Sequence, residues 1–526
     1  MHSVEVFVLL LALVAGVPLL ANKVHIPYPA LLVLTGLGLC FVPGLPVFHL
    51  SPNLIFLFVL PPLVYRASIG TSWRDFRNDL RPIVLLGVGL VLFTTVTVGY
   101  VVKFMLPSLP WAAAFALGAI VSPSDTVAAI AIMKKLRIPR RVVAILEGES
   151  LINDATGLIA YKFAVAAVLS GAFSMSHAVG AFVWALFGGI AIGWLVYRLV
   201  AAIQSRLDDP PVQAVISLAT PFVAYLPAEI LHASGIISVV TTGLFVGSNI
   251  ATLVTARMRL LVFPMWEMIE FVLNGFIFIV IGLQLPVVMH NLAGTPVRLL
   301  ADLAAAVCAA VVITRVVWVF PATYLPRALI PGIRKRDPYP AAGPVALVSW
   351  IGMRGVVSLA AALALPLSLD SGDPFPGRDL IIFLTFSVIL FTLVAQGVTL
   401  APVVRWLNLP QDDSHDREET LGWRRADEAA LLRLEQLQKE KRHSEEALAR
   451  ARQTIEAELA LCEDVEARKA VSSGLASPYS RMGPVEREVV HAKRRTIVQL
   501  ERDGELSAFV ATQILRELDL IEAALH

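Results

Sequence analysis

About thirteen stretches of this chain are apolar on all sides and long enough to cross a bilayer as helices. Their approximate limits are 4–21, 28–43, 53–67, 82–106, 111–133, 141–169, 178–203, 212–231, 236–249, 261–283, 300–326, 342–366 and 380–406. A spanning helix needs about 20 mostly apolar residues, whereas a spanning strand needs only about 9–11 with polar alternation. These runs are longer and do not alternate, so they predict an all-α polytopic membrane body. Composition agrees: of 526 residues, 57 % are hydrophobic and 16 % charged, against about 25 % charged in soluble domains. An ordinary soluble protein, a disordered chain and a nucleic-acid binder are excluded.

The net charge of +2 averages two unlike parts: residues 1–410 hold 25 Lys/Arg and 17 Asp/Glu, residues 411–526 hold 18 and 24. Within the body, alternate connections carry Lys23; Arg66, Arg74, Arg77, Arg81; Lys134, Lys135, Arg137, Arg140, Arg141; Arg198, Arg206; Arg257, Arg259; and Arg327, Arg334, Lys335, Arg336. The intervening ones carry Lys103, Arg298 and Arg378, so the bias is 18 to 3. Basic loops stay in the cytoplasm, which predicts an outside N-terminus, a cytoplasmic tail and a multi-pass protein of the cell membrane. The run Phe7–Leu20 reads as an uncleaved first helix, since His2 and Glu5 replace a basic leader and no small-x-small site follows. Cys40, Cys308 and Cys462 are too scattered for a disulfide framework or a zinc site.

Ionisable residues in mid-span are costly and mark function by default; three spans collect them. In the fifth, Ser122-Pro123-Ser124-Asp125 lies in the middle third. Pro123 removes a donor and disfavours helix before it, freeing carbonyls beside a carboxylate. In the sixth, Glu147, Ser150 and Asp154 share one face, with Glu149 and Asn153 on the next. In the twelfth, Arg354 is central and flanked by Gly352 and Gly355, which permit close backbone approach. A central arginine needs a buried anion, and Glu149 and Asp154 are the candidates at its depth. The two interrupted spans occupy matching places in a 6 + 1 + 6 arrangement and run oppositely, a pointer to a midplane transport site. Asp125, Ser124, Ser150 and Asp154 can supply the oxygens a hard cation such as sodium requires. Proton and cation would compete for the same carboxylate.

In SPSDTVAAIAI, EGESLINDATGLI and GMRGVVSLA, in that order, the chain resembles the monovalent cation/proton antiporters, in the sodium/proton exchanger branch of NhaP and NHE type. PAEILHASGIISVVTTGL and WEMIEFVLNGFIFIVIGLQL support the resemblance, which covers roughly residues 1–410. It implies a homodimer with inverted repeats and two crossed, interrupted helices, and a part in pH homeostasis. It implies that Asp154 alternately binds cation and proton, that Ser124, Asp125, Glu149 and Ser150 surround the ion, and that Arg354 pairs with Glu149. Asn153 stands where charge-moving relatives carry Asp, which implies electroneutral one-for-one exchange. Ser124-Asp125 departs from the Thr-Asp or Asp-Pro of some relatives. The substrates would be a proton and a monovalent cation (sodium, with lithium and potassium as alternatives), with no cofactor.

Other membrane acids carry no assigned role. Glu229 is read as structural or gating, Glu267 and Glu270 as lining a cytoplasmic funnel or pairing with loop arginines, Lys162 as a counter-charge or a snorkelling lysine, and Asp302 and Arg315 as structural. A hydrolase is excluded, since no GxSxG or HExxH occurs; a passive cation channel is the reading from another class. The domains are expected at 1–409, the transmembrane antiporter body, and 410–526, a helical and possibly regulatory tail. In the tail, QDDSHDREET reads as a polar linker, about 424–469 as helix, VSSGLASPYSRMGP as a break, and about 485–524 as helix interrupted near Asp503-Gly504.

Overall fold

The structure is a computed structural model, and it describes residues 3–24, 28–40, 55–126, 129–130, 133, 138–171, 175–207, 209–292, 294–369, 371–409, 414–441, 443–460 and 483–523. His2, Lys134, Lys135, Arg137, Cys462, most of the expected tail break and residues 127–128 and 131–132 of SPSDTVAAIAI lie outside the described residues.

The protein is all-helical, as its apolar runs require. No strand occurs among the described residues beyond an isolated bridge between Ser368 and Pro374. Helices α1 (Ser3–Val24) and α2 (Tyr28–Leu39) precede α3 (Leu60–Gly70), which a wide turn over Ile55–Val59 leads into. The short α4 (Trp73–Asn78) and α5 (Leu80–Val84) lead through Leu85–Leu90 into α6 (Val91–Met105). Then come α7 (Trp111–Val121), α8 (Arg140–Ser170), α9 (Met175–Gln204), α10 (Pro210–Ile230), α11 (Gly235–Leu253), α12 (Ala256–Asn291) and α13 (Val297–Leu329). After α14 (Pro331–Arg336), α15 (Ala342–Trp350) and α16 (Val356–Leu363) form one interrupted segment. The body ends with α17 (Arg378–Phe391), running through Thr392–Gln396 into α18 (Gly397–Trp406).

Among the described residues, 7 helices can each cross a membrane by length and composition, and 5 shorter apolar ones accompany them. With the interrupted α15–α16 they place helix in each predicted run, as far as its residues are described. The helices pack as membrane helices do, with small residues where backbones meet. A β-carbon at Gly36 of α2 would strike the Ile279 carbonyl of α12, and one at Gly282 would strike Val33 of α2. Val33, Phe278, Ile279, Leu347, Ile351, Leu359 and Leu393 belong to one buried core around the interrupted segment. On α9, Val183, Trp184, Phe187 and Leu195 are exposed; such a face is a liability in water and an ordinary surface in lipid.

The chain divides into two compact units. The first comprises Met1–Val200, Leu218–Gly247 and Trp266–Gln411; the second comprises Ala201–Ser217, Ser248–Met265 and Asp412–His526. The second unit also takes in two connections of the membrane helices. Charge and burial explain this grouping. Arg259 donates to both carboxylate oxygens of Asp519, at 2.7 and 2.6 Å, and Arg494 adds a 2.7 Å bond. Ala251 packs against a core of Trp423, Ala426, Ile497, Val510, Ile514 and Leu518.

The tail helices are α19 (Ser414–Glu440), α20 (Glu445–Ala460), α21 (Pro484–Asp503) and α22 (Ala508–Ala523). The expected polar linker is helical from Ser414, and the single helix expected over 424–469 is broken at Lys441, whose φ is 51°. Ser444 restarts the helix, accepting a 3.3 Å bond from the Ala447 amide, with Glu445 and Glu446 in the first turn. The interruption expected near Asp503-Gly504 is present, with Gly504 at φ 88° closing α21.

Candidate functional site

Two unwound segments meet inside the first unit. The chain leaves helix after Val121 and is extended or irregular over 122–126; it leaves helix again after Trp350 and resumes at Val356. The Asp125 amide donates to the Met353 carbonyl at 2.7 Å, so the two breaks are joined through their main chains. A β-carbon at position 355 would overlap the Asp125 carboxylate, so this approach requires Gly355. Gly352 is equally confined: a β-carbon there would lie 2.8 Å from both the Arg315 Cδ and an Arg354 guanidinium nitrogen.

Arg354 serves the break itself. Its Nε donates to the Val121 carbonyl at 2.9 Å, Nη2 to the Ser122 carbonyl at 3.4 Å and Nη1 to the Gly352 carbonyl. Its amide donates to Thr392 Oγ1 at 3.0 Å. A helix C-terminus leaves carbonyls unpaired and carries partial negative charge, and a guanidinium offers five donors to meet them. The anion expected for Arg354 belongs instead to Arg315. Arg315 grips Glu149 with two parallel bonds of 2.6 and 2.8 Å, and its Nε donates to the Val348 carbonyl at 3.0 Å. All three side chains are at most 2 % exposed.

Glu149 is fully engaged. Ser124 Oγ donates to Glu149 Oε1 at 2.8 Å and accepts from Asn153 Nδ2 at 2.9 Å. Asn153 Nδ2 also reaches the Ser124 carbonyl at 3.2 Å, and Ser150 Oγ meets that carbonyl at 3.4 Å. Asn153, Ser124, Glu149 and Arg315 thus form one buried, charge-balanced relay that pins α8 and α13 to the break after α7.

Beside the relay lies a cavity of about 80 Å³, lined among others by Pro123, Asp125, Ser150, Asp154, Glu270 and Gly355. Glu149 and Ser124, expected around the ion, are not among its lining residues. Asp125 and Asp154 are half-buried rather than sealed. The first residues of α16 also line the cavity, bringing the positive end of a helix dipole beside the two carboxylates. Its volume is sufficient for a small ion with some water.

The residues left without a role find partners. Lys162 pairs with Glu229 at 2.8 Å, and Glu229 also accepts from the Gly235 amide. Arg66 lies 3.6 Å from Glu267 and 3.5 Å from Glu270, so Glu270 both pairs with an arginine and lines the cavity. At a basic connection, Arg141 bridges Asp79 and Asp337, while Arg81 and Arg327 reach Asp337 at 2.5 and 2.6 Å. Burial works to raise the Asp337 carboxyl, but Arg141, Arg327 and Arg81 outweigh it and hold the group below its ordinary 3.8. At Asp79 burial prevails over Arg141, and the carboxyl is pushed up.

The family model for the transmembrane part of sodium/hydrogen exchangers matches residues 9–406. The chain belongs to the sodium/hydrogen exchanger family. It is 34 % identical over 525 residues to an uncharacterized Na+/H+ exchanger of Mycobacterium tuberculosis, covering 98 % of this chain and 96 % of that one. It is 33 % identical to a Na+/H+ antiporter of Aphanothece halophytica, over 82 % of this chain and 81 % of the relative. A sodium, potassium, lithium and rubidium/H+ antiporter of Bacillus subtilis is 34 % identical over 75 % of this chain and 60 % of its own length. Among solved structures, the sodium proton antiporter MjNhaP1 of Methanocaldococcus jannaschii shares the fold, with a TM-score of 0.58 at 20 % identity over 77 % of this chain and 98 % of that one. Cation/proton antiport is thus the activity class of this exchanger-family chain, and it is a transporter of the multi-pass membrane type.

Arg315, midway along a 33-residue apolar helix, was read as structural from the sequence, but its pairing with Glu149 was not foreseen. Two further residues of the candidate site escaped the sequence reading. Asn274 and Ser358 also line the cavity, but a lone neutral polar residue costs a span little and does not stand out.

Proposed function

We propose that the chain is a sodium/proton antiporter working by alternating access, in which Asp154 alternately holds one cation and one proton. The observation that carries this is the cavity, where Asp125, Ser150 and Asp154 converge at the meeting of two helix breaks. Carboxylate and hydroxyl oxygens suit a hard monovalent cation, and a proton competes for the same carboxylate. The relay beside it supports the assignment, because Glu149 is already neutralised by Arg315 and adds no net charge. Asn153 is neutral, so one cation exchanges for one proton and the cycle moves no net charge. The working form is a homodimer in the cell membrane with its N-terminus outside and its tail cytoplasmic, contributing to pH homeostasis without a cofactor. Potassium is the second reading for the cation, favoured by the stated range of the Bacillus subtilis relative.

Proteoliposomes test the proposal. Sodium added outside acid-loaded vesicles should drive proton efflux in the parent, and Asp154→Asn should abolish it while the protein inserts normally. Coupled exchange at parental rate in Asp154→Asn overturns the site assignment; cation flux without proton movement in the parent makes the protein a channel.

A further inference from the structure

Two polar side chains on the cavity wall take no part in the relay or the helix breaks. Asn274 comes from α12 and Ser358 from the first turn of α16. They are 3 % and 1 % exposed, and neither Asn274 Nδ2 nor Ser358 Oγ has a hydrogen-bond partner among the described residues. Leaving a buried polar atom unpaired is costly, and most such atoms in folded proteins are satisfied. Here two occur on one small cavity that the carboxylates of Asp125, Asp154 and Glu270 also line. Among the described residues no atom pairs with these two, and both border the cavity.

The chemistry of the two groups fits a hydrated cation. A serine oxygen carries two lone pairs, and an amide presents its oxygen or its NH2 to the same place by turning about its last bond. Unlike a carboxylate, neither group takes up a proton near neutral pH. They can therefore favour the cation without favouring the proton. They stand on different elements, α12 and α16.

We propose that Asn274 and Ser358 are neutral ligands of the transported cation, reaching it directly or through one water it retains, and that they set the preference among monovalent cations. This rests on the antiport reading above.

The test uses the full chain, with sodium, lithium and potassium chlorides as probes and choline chloride as the inert control. Ser358→Ala and Asn274→Leu, which keeps the volume, are compared with the parent in proteoliposomes and by thermal unfolding in detergent. Loss of one neutral ligand should raise KM for sodium roughly three- to tenfold, with a smaller change in maximal rate and a changed ratio among the three cations. Unfolding gives the separate readout. Removing an unpaired buried hydroxyl should leave the midpoint in choline unchanged or higher, while the rise caused by sodium shrinks. Ser358→Thr, which keeps the oxygen, should restore the parental KM. Parental KM values for all three cations in both variants overturn the proposal. So does a lowered midpoint in choline with an undiminished sodium effect, which is the mark of a packing role. If the parent itself shows neither a sodium-dependent rise nor cation-coupled proton movement, the antiport reading fails first.

Discussion

Glu149 and Arg315 bury a full positive and a full negative charge at 1 and 2 % exposure. Removing one member of such a pair leaves the other uncompensated, at a cost of about 3–5 kcal/mol. Arg315→Ala and Glu149→Ala should each lower the unfolding midpoint sharply in detergent, and the double variant should be far less damaged than the sum of the two. The cycle between Glu149 and Arg354 should show much weaker coupling, because Arg354 is bound to carbonyls of Val121, Ser122 and Gly352. Equal coupling in both cycles would refute this division of roles. The same residues mark how far the sequence could be read. Asp125, Ser150 and Asp154 were legible because acids and breaks in mid-span demand a reason. The partner of Glu149 was not, because depth along a span is one-dimensional and two arginines lie at similar depth. What separates them is the helix break, whose unpaired carbonyls claim the nearer guanidinium.

At the scale of elements, apolar length located the spans well, and Pro123 and the glycines beside Arg354 located both breaks. The tail was harder to read. Its helices are amphipathic rather than apolar, so the stop at Lys441 and restart at Ser444 had to be found in capping chemistry against a continuous helical pattern. Where elements meet at the basic connection, Asp337 gathers Arg81, Arg141 and Arg327. Its carboxyl is held below the ordinary value despite burial. A depressed folded value means that the contribution is complete above the ordinary carboxylate range and is lost as pH falls through the folded one. Asp79, pushed up by burial, works in the opposite sense. Between about pH 6 and about pH 3 the parent's unfolding midpoint should therefore fall more steeply than that of Asp337→Asn. Parallel acid limbs for the two proteins would show that Asp337 contributes nothing by its charge.

For the whole molecule, the decisive quantity is the charge carried between the two faces. On the proposed mechanism Glu149 and Arg315 cancel, Asn153 is neutral, and a proton or a monovalent cation on Asp154 leaves the same total. A membrane potential acts at about 2.3 kcal/mol per charge per 100 mV, and the two loaded states differ by no charge. In proteoliposomes at fixed proton gradient, an imposed potassium-diffusion potential should leave the final sodium distribution unchanged. A distribution that follows the voltage would mean unequal stoichiometry. The first unit was almost wholly legible as a membrane body. That the second recruits Ala201–Ser217 and Ser248–Met265 was not, because the buried Arg259–Asp519 pair joins residues 260 positions apart.

The meeting of Gly355 with Asp125 has a consequence for descent. The Asp125 carboxylate fills the place where any β-carbon at position 355 would lie. Every other amino acid carries that carbon, so all single-step changes at this codon meet the same obstacle. A side chain at position 355 is therefore expected to be tolerated only where residue 125 moves aside, which ties the two positions to one another.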